Sequence, residues 1–394
     1  MPTYPTYKLG EICETTSGGT PNRKNDAYYG GTIPWVKSGE LGKGVIYDTE
    51  EKITEKAIKE SSAKVFPEGT LLIALYGATI GKLGFLGVPA ATNQAVCGIF
   101  ANEKIDLQFL SYYLFHKRND LIAQGTGGAQ PNISQTILKN LPIPLPPLPT
   151  QQAIVARIEA LFAELDNAVQ HLRTAQQQLK TYRQAVLRDA FEGCKEMKTV
   201  LELSTIVTSG SRGWAKYYTD KKDARFVRIT DLTRDRIILQ SNNIQYISLP
   251  PNAEGKRSLL QPNDVLVSIT ADLGSIALVP QNIGEAYINQ HIAMIRFKNT
   301  KLGKFMAYYL KSDFGQKELL KNKRGNGKLG LGLDDIRNTY IPFVDEEEAN
   351  EIVNKIESRL SQAEAAEASI AEALQKAEAL RQSILKKAFS GELV

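Results

Sequence analysis

Long apolar runs are missing from this chain of 394 residues, and that excludes a bundle of membrane-spanning helices. The opening Met1-Pro2-Thr3-Tyr4 has neither the basic nor the apolar segment of a secretory leader, so the reading is a cytoplasmic protein with no membrane partner. Cysteine is scarce. Cys13, Cys97 and Cys194 lie far apart with no CxxC, which excludes a disulfide framework and a zinc ribbon and points to reduced thiols. The three histidines, His116, His171 and His291, are too dispersed for a metal site. No GxxxxGK[ST] occurs, so the chain is no ATP motor. Gly325-x-Gly327-x-x-Gly330 has the spacing of a dinucleotide loop but follows a helical segment rather than a strand, and reads instead as a basic surface loop.

What is present is a repeat. Ile154-Val155, Ile158-Glu159, Arg183-Gln184, Leu187 and Ala190-Phe191-x-Gly193 return as Ile352-Val353, Ile356-Glu357, Arg381-Gln382, Leu385 and Ala388-Phe389-x-Gly391. One offset of 198 residues (352 − 154 and 391 − 193) covers the whole segment without a gap. A repeat of that length means two halves, each closed by the same helix. Apolar residues recur at alternating spacings of four and three along both copies: Ile154, Ile158, Leu161, Leu165, Ala168 and on to Tyr182 and Val186, then Ile352, Ile356, Leu360, Ala363 and on to Leu380 and Ile384. That is a heptad seam. Gly193 and Gly391 suit C-terminal stops, and the prolines 142, 144, 146, 147 and 149 suit the approach to the first helix. The seam allows a homodimeric coiled coil. Two copies in one chain, with a folded domain between them, favour antiparallel pairing within the chain.

Residues 1–147 and 201–343 form a second, diverged repeat. Thr16-Ser17-Gly18 is echoed by Thr208-Ser209-Gly210, Leu71–Leu75 by Val265–Ile269, Asn93-Gln94 by Asn289-Gln290, and Tyr112-Tyr113-Leu114 by Tyr308-Tyr309-Leu310. Short strands come first, then a helix near 105–122 or 302–322, without regular strand–helix alternation. The expected fold class is therefore α+β: two mixed domains separated by two long antiparallel coiled-coil helices, related by an internal pseudo-twofold repeat. Charge is uneven. Residues 201–343 carry 21 Lys and Arg against 13 Asp and Glu, whereas 344–394 carry 6 against 11. The third segment is where a polyanion is favoured.

The order globular, helix, globular, helix resembles the specificity subunit of type I restriction-modification systems. The residues that carry the resemblance are Tyr76-Gly77-Ala78-Thr79-Ile80-Gly81, Gln130-Pro131-Asn132-Ile133-Ser134 and Leu141–Leu148 followed by Gln151-Gln152. It spans essentially the whole chain. It implies target-recognition domains at 1–147 and 201–343, each reading half of a split DNA site, with spacer helices at 148–200 and 344–394. It implies no catalysis in this chain. The partners it implies are double-stranded DNA, two methyltransferase (modification) subunits and restriction/translocase subunits. S-adenosylmethionine, ATP and Mg2+ would belong to those partners, with no cofactor here. The second half departs from the pattern, with Lys323-Arg324-Gly325-Asn326-Gly327-Lys328 standing where the first has Gln-Pro-Asn-Ile-Ser. Two alternatives remain open: a module of a related system with fused nuclease and methyltransferase, and a protein-only scaffold. If wholly helical, the first copy spans roughly 69 Å at about 1.5 Å per residue. That is ample for two readers about one DNA turn, roughly 34 Å, apart, so two short blocks with a non-specific spacer are expected.

Base-reading residues should differ between halves, while shared ones should be scaffold. Asn93-Gln94 and Asn289-Gln290 could pair with adenine, but their presence in both halves favours a structural turn. The paired tyrosines read as core. The DNA-contact candidates lie on polar loops. In the first half they are Ser17, Thr20, Asn22, Arg23, Lys24, Lys37, Ser38, Tyr76 and Lys82. In the second they are Ser209, Arg212, Trp214, Arg228, Thr230, Arg234, Lys256, Arg257, Thr270, Lys323, Arg324 and Lys328. Lysine and arginine would meet phosphates, glycines would let the backbone approach the duplex, and Arg212 could read guanine.

Overall fold

A computed structural model describes residues 4–125, 132–240, 243–250, 256–321, 323 and 330–393. Arg324 and Lys328 lie outside the described residues, as do Gln130-Pro131 and the side chain of Lys256. The chain divides into two compact units. Unit one comprises Met1–Leu172 and Glu372–Val394, and unit two comprises Arg173–Ala371. Each therefore holds one globular part and a portion of both long helices.

In unit one the apolar strand Leu71–Ala74 is buried along its whole length. It lies inside a five-stranded sheet in the order 13–17, 96–101, 71–74, 83–86, 45–46. All pairings are antiparallel except the outermost, Val45–Ile46 beside Leu83–Leu86. A smaller sheet orders 52–53, 29–36, 90–92, 65–66. Helices Leu107–His116 and Arg118–Ala123 cover the larger sheet. Thr6–Lys8 pairs with Pro142–Pro144, a two-stranded edge where proline's missing N–H removes no ladder bond from a central strand.

Unit two repeats this plan. Ser204–Ser209, Ile292–Phe297, Val265–Ser268 and Ile276–Leu278 form an antiparallel sheet. A second sheet pairs Ala224–Val227 with Ala286–Ile288 in parallel. The helical stretch is again split, into Gly303–Lys311 and Asp313–Leu320, because the Ser312 hydroxyl accepts from the Gly315 N–H and starts a new helix. Met197–Thr199 pairs with Tyr340–Pro342. These residues, assigned by sequence to the first spacer helix, thus complete the second globular part. The mixed α+β class is as expected.

The long helices run Leu148–Phe191 and Glu346–Phe389, so both ends keep the 198-residue offset. On the second, Ile356, Ala363, Ile370, Ala377 and Ile384 are buried at intervals of seven, as a coiled-coil seam requires. The pairing is antiparallel and lies within the chain. In unit one Leu161, Phe162 and Leu165 pack on Ala377 and Ile384, and Asp166 pairs with Arg381. In unit two Arg183 pairs with Glu367. The seam differs from the expected one in two places. Tyr182 and Leu380, one repeat apart, are 40 % and 50 % exposed. The neighbouring Arg183 and Arg381 turn inward to the ion pairs, which rotates the aromatic and the leucine out. Gly391 takes the left-handed stop, φ 78°, but Gly193 is absent from the positive-φ glycines.

Each globular part is fixed to its helices by the same aromatic joint. In unit one Phe389 meets Phe109 and Tyr113 edge to face, with ring centres 5.4 and 5.0 Å apart. In unit two Phe191 meets Phe305 and Tyr309, both at 5.4 Å. Such pairs contribute about 1 kcal/mol each beyond the area they bury. The paired tyrosines are core residues, as the sequence predicts. Gln151 adds a polar clasp in unit one. Its carboxamide accepts from the Asp106 N–H and donates to the carbonyls of Lys104 and Pro146.

Candidate nucleic-acid interface

One backbone frame recurs, bond for bond, at the strand ends of both units. In unit one the Asn93 N–H donates to Val36 O, and the Asn93 carboxamide accepts from the Ala95 N–H. Leu75 N–H then donates to Ala95 O, and Ile133 N–H to Leu75 O. In unit two Asn289 N–H donates to Val227 O, and its carboxamide accepts from the His291 N–H. Ile269 N–H donates to His291 O, and Leu331 N–H to Ile269 O. Tyr76 bridges Asn132 where Thr270 bridges Gly330. Gly330 therefore closes the same bridge as Asn132, although the sequences around them differ. Gly77 and Ala271 both sit at positive φ, 67° and 57°. Alanine there tolerates a conformation that glycine adopts freely.

The shared asparagines are thus turn formers, and the carboxamide oxygen of each is taken by a backbone N–H. Gly18 and Gly210 are also structural. A Cβ on either would collide with backbone, of Thr92 for Gly18 and of Ile288 for Gly210. Their need for glycine is internal and does not arise from approach to a duplex, the role that sequence alone suggests for them.

The candidates separate into tied and free groups. Ser17 accepts from Gln135 Nε2 at 2.6 Å. Asn22 accepts from the Lys24 N–H. Arg23 bonds Glu51 and stacks on Tyr29 and Trp35, 4.8 Å from each ring centre. Lys37 reaches Glu50 at 3.0 Å and Glu51 at 3.1 Å. Hydrogen bonds to Glu50 and then Glu51 hold its ammonium above the ordinary range. The Arg23 bond holds the Glu51 carboxyl below its own. These are surface pairs, contributing about 1 kcal/mol or less, so a phosphate could replace a carboxylate cheaply. Ser38 opens a single turn to Glu40, and the Lys82 stem runs beside Gly42. Tyr76 is 37 % exposed and precedes the turn Gly77–Thr79.

In unit two Arg228 donates to Asn243 O at 2.8 Å, and Arg234 is bonded to Asp272. That bond holds the Asp272 carboxyl low. Thr230 is exposed on the turn Ile229–Asp231, and Ser209 ends its strand. Lys323 is exposed. Arg212, Arg257 and Lys24 are exposed and make no side-chain hydrogen bond or ion pair among the described residues. Trp214 does not face a duplex as the sequence suggests. It is 6 % exposed, stacked on Phe226 and edge-on to Tyr217 and Tyr287, so its ring is core under the second sheet. His291, passed over in the sequence, lies in the frame with its ring between Thr270 and Gln290. The signal was there: the shared Asn-Gln is followed by Ala95 in one half and His291 in the other. Among the described residues no metal-binding cluster of His, Cys, Asp and Glu occurs, and no helix is long and apolar enough to cross a membrane.

A frame built twice and decorated differently is what reading two unlike half-sites requires. Comparison with known proteins agrees. A family model described as "Type I restriction modification DNA specificity domain" matches residues 1–172 and again 195–376. The chain belongs to this family. It is 29% identical to the type I restriction enzyme EcoBI specificity subunit of Escherichia coli, over 84% of this chain and 74% of that one. It is 26% identical to the MjaIX specificity subunit of Methanocaldococcus jannaschii, over 85% and 81%. Among solved structures, one described as "Crystal structure of HsdS subunit from Thermoanaerobacter tengcongensis" superposes with a TM-score of 0.61 at 22% identity, covering 100% of this chain and 98% of that one. Another, from work on assembly and conformational transition of the type I R-M system, reaches 0.78 at 22% identity, covering 100% and 99%. As a family member, this specificity chain recognises DNA and does not itself catalyse.

Proposed function

We propose that each unit reads one part of a bipartite duplex site, and that the chain supplies this specificity to two methyltransferase subunits and to restriction/translocase subunits. The observation that carries the reading is the duplicated frame, identical in backbone bonding and different in the residues at 76 and 270, at 95 and 291, and at 132 and 330. Shared hydrogen bonds position the frame, and the differing side chains specify. The excess of positive charge over 201–343 supplies salt-dependent attraction to phosphates. S-adenosylmethionine, ATP and Mg2+ would act in the partner subunits, in the cytoplasm.

The free arginine gives the test. Arg212 lies two residues after Gly210, its guanidinium makes no hydrogen bond or ion pair among the described residues, and arginine is the side chain best suited to guanine O6 and N7. Arg212→Ala is expected to relax preference at one base pair, in one half of the site, by about tenfold. Lys328→Ala is expected to weaken all sequences alike and to flatten the salt dependence by about one unit of slope. Binding of the assembled complex to a randomised duplex library, at several salt concentrations, separates the two effects. Wild-type motif and affinity in both variants would move the DNA face elsewhere.

A further inference from the structure

We propose that the glutamine common to both frames reads the duplex with a different donor–acceptor pattern in the two units, and that the neighbour tying it down sets that polarity. This rests on the reading of each unit as a half-site reader. Gln94 and Gln290 follow the asparagines that close the turn, so the same backbone holds both. Their carboxamides are tied at opposite ends. In unit one the Thr20 hydroxyl donates to Gln94 Oε1. Gln94 is exposed. Its carbonyl is occupied by the Thr20 hydroxyl, which leaves the two amide N–H groups as donors. In unit two Gln290 Nε2 donates to His291 Nε2 at 2.9 Å. A neutral imidazole that accepts at Nε2 carries its proton on Nδ1. That Nδ1 lies 2.6 Å from Thr270 Oγ1, which accepts. One amide N–H of Gln290 is thereby spent, while its Oε1 and second N–H stay available.

The two presentations suit different base edges. A pair of amide N–H donors favours an edge rich in acceptors, guanine O6 and N7 or thymine O4. A carbonyl beside one N–H matches adenine N6 and N7. The tie in unit two cannot form in unit one, because Ala95 occupies the place of His291 and Tyr76 that of Thr270. One inherited glutamine thus serves two unlike half-sites without movement of the backbone.

The test uses the complete chain assembled with its methyltransferase partner, and a duplex library randomised across the site, scored for binding and methylation. Thr20→Val removes the hydroxyl at constant shape. His291→Ala installs the side chain that unit one already carries at that place. Each is expected to relax one base pair by about tenfold or more, in one half only and in opposite halves. Total affinity should stay within about threefold and the salt slope unchanged, because no phosphate contact is removed. Gln94→Glu and Gln290→Glu, which keep shape, decide the matter if either first variant fails to assemble. The former loses both donors and should lose its base preference, whereas the latter keeps an acceptor and should retain preference for an edge offering an amino group. Unaltered preference in methylating complexes, or changes falling in the same half, would overturn the polarity assignment. Loss of all sequence preference in the wild-type complex would instead overturn the half-site reading beneath it.

Discussion

A chimera carrying a relative's globular domain in place of residues 1–147 is expected to methylate a site rewritten in one half and untouched in the other. The expectation rests on what crosses the junction. Gln151 lies on the retained helix, and its partners on the exchanged side are backbone groups, the Asp106 N–H and the Lys104 and Pro146 carbonyls. A foreign domain supplies these whatever its side chains. The apolar side of the joint is more demanding. Phe109 packs against Ile154, Ile158, Leu385 and Ala388, and Tyr112 sets its ring 5.9 Å from that of Phe162. Truncating such an aromatic costs about 3–5 kcal/mol. Donors with large apolar residues at 109 and 112 should therefore assemble, and donors without them should fail. Sequencing the methylated sites of the assembled chimera measures the outcome. A change in both halves would mean that the units share one composite site.

The second large effect concerns stability. Arg183→Ala is expected to lower unit two's stability by about 2–3 kcal/mol, and Arg381→Ala to lower unit one's by less than about 1 kcal/mol, although the two arginines occupy the same place in the repeat. Arg183 is 7 % exposed and donates twice to the Glu367 carboxylate, at 3.0 and 2.9 Å. Its removal strands a half-buried carboxylate that, among the described residues, keeps just the looser contact with Arg236, at 3.6 Å. Arg381 instead pairs with Asp166, whose side chain is 59 % exposed and can return to water. Denaturant midpoints of the single variants, with Glu367→Ala completing a double-mutant cycle, measure the difference. Equal losses from both arginines would mean that burial does not set the strength of these pairs.

Much of the architecture was written in the sequence because periodicity is local. The long helices, their shared offset and the tyrosine-bearing helices follow from spacing alone. The structural role of Asn93 and Asn289 was legible for a different reason: a residue that must read different bases does not need to be the same in both halves. What spacing could not reveal were pairings between distant residues. Nothing in the run from Asn22 to Lys24 announces Glu51, so Arg23 reads as free when it is bonded. Trp214, in a polar loop, reads as a surface anchor until Phe226 and Tyr287 are folded onto it. The seam failed at Tyr182 and Leu380 because apolar spacing does not foresee an arginine competing for the interface. The stretch ending at Gly330 looked like a departure because side chains changed, yet the bridge to Thr270 uses only backbone groups.

The aromatic joint also dictates when the protein can finish folding. Unit one takes its last piece from Glu372–Val394, so Phe109 must wait for Phe389 while nearly the whole intervening chain is synthesised. Unit two is a single uninterrupted stretch, Arg173–Ala371, and has every residue it needs before the ribosome reaches the C-terminus. During synthesis the N-terminal unit therefore begins first and closes last, because the cluster of Phe109, Ile154 and Ile158 is completed only by Leu385 and Ala388. Loop-closure entropy makes that last contact the slow one.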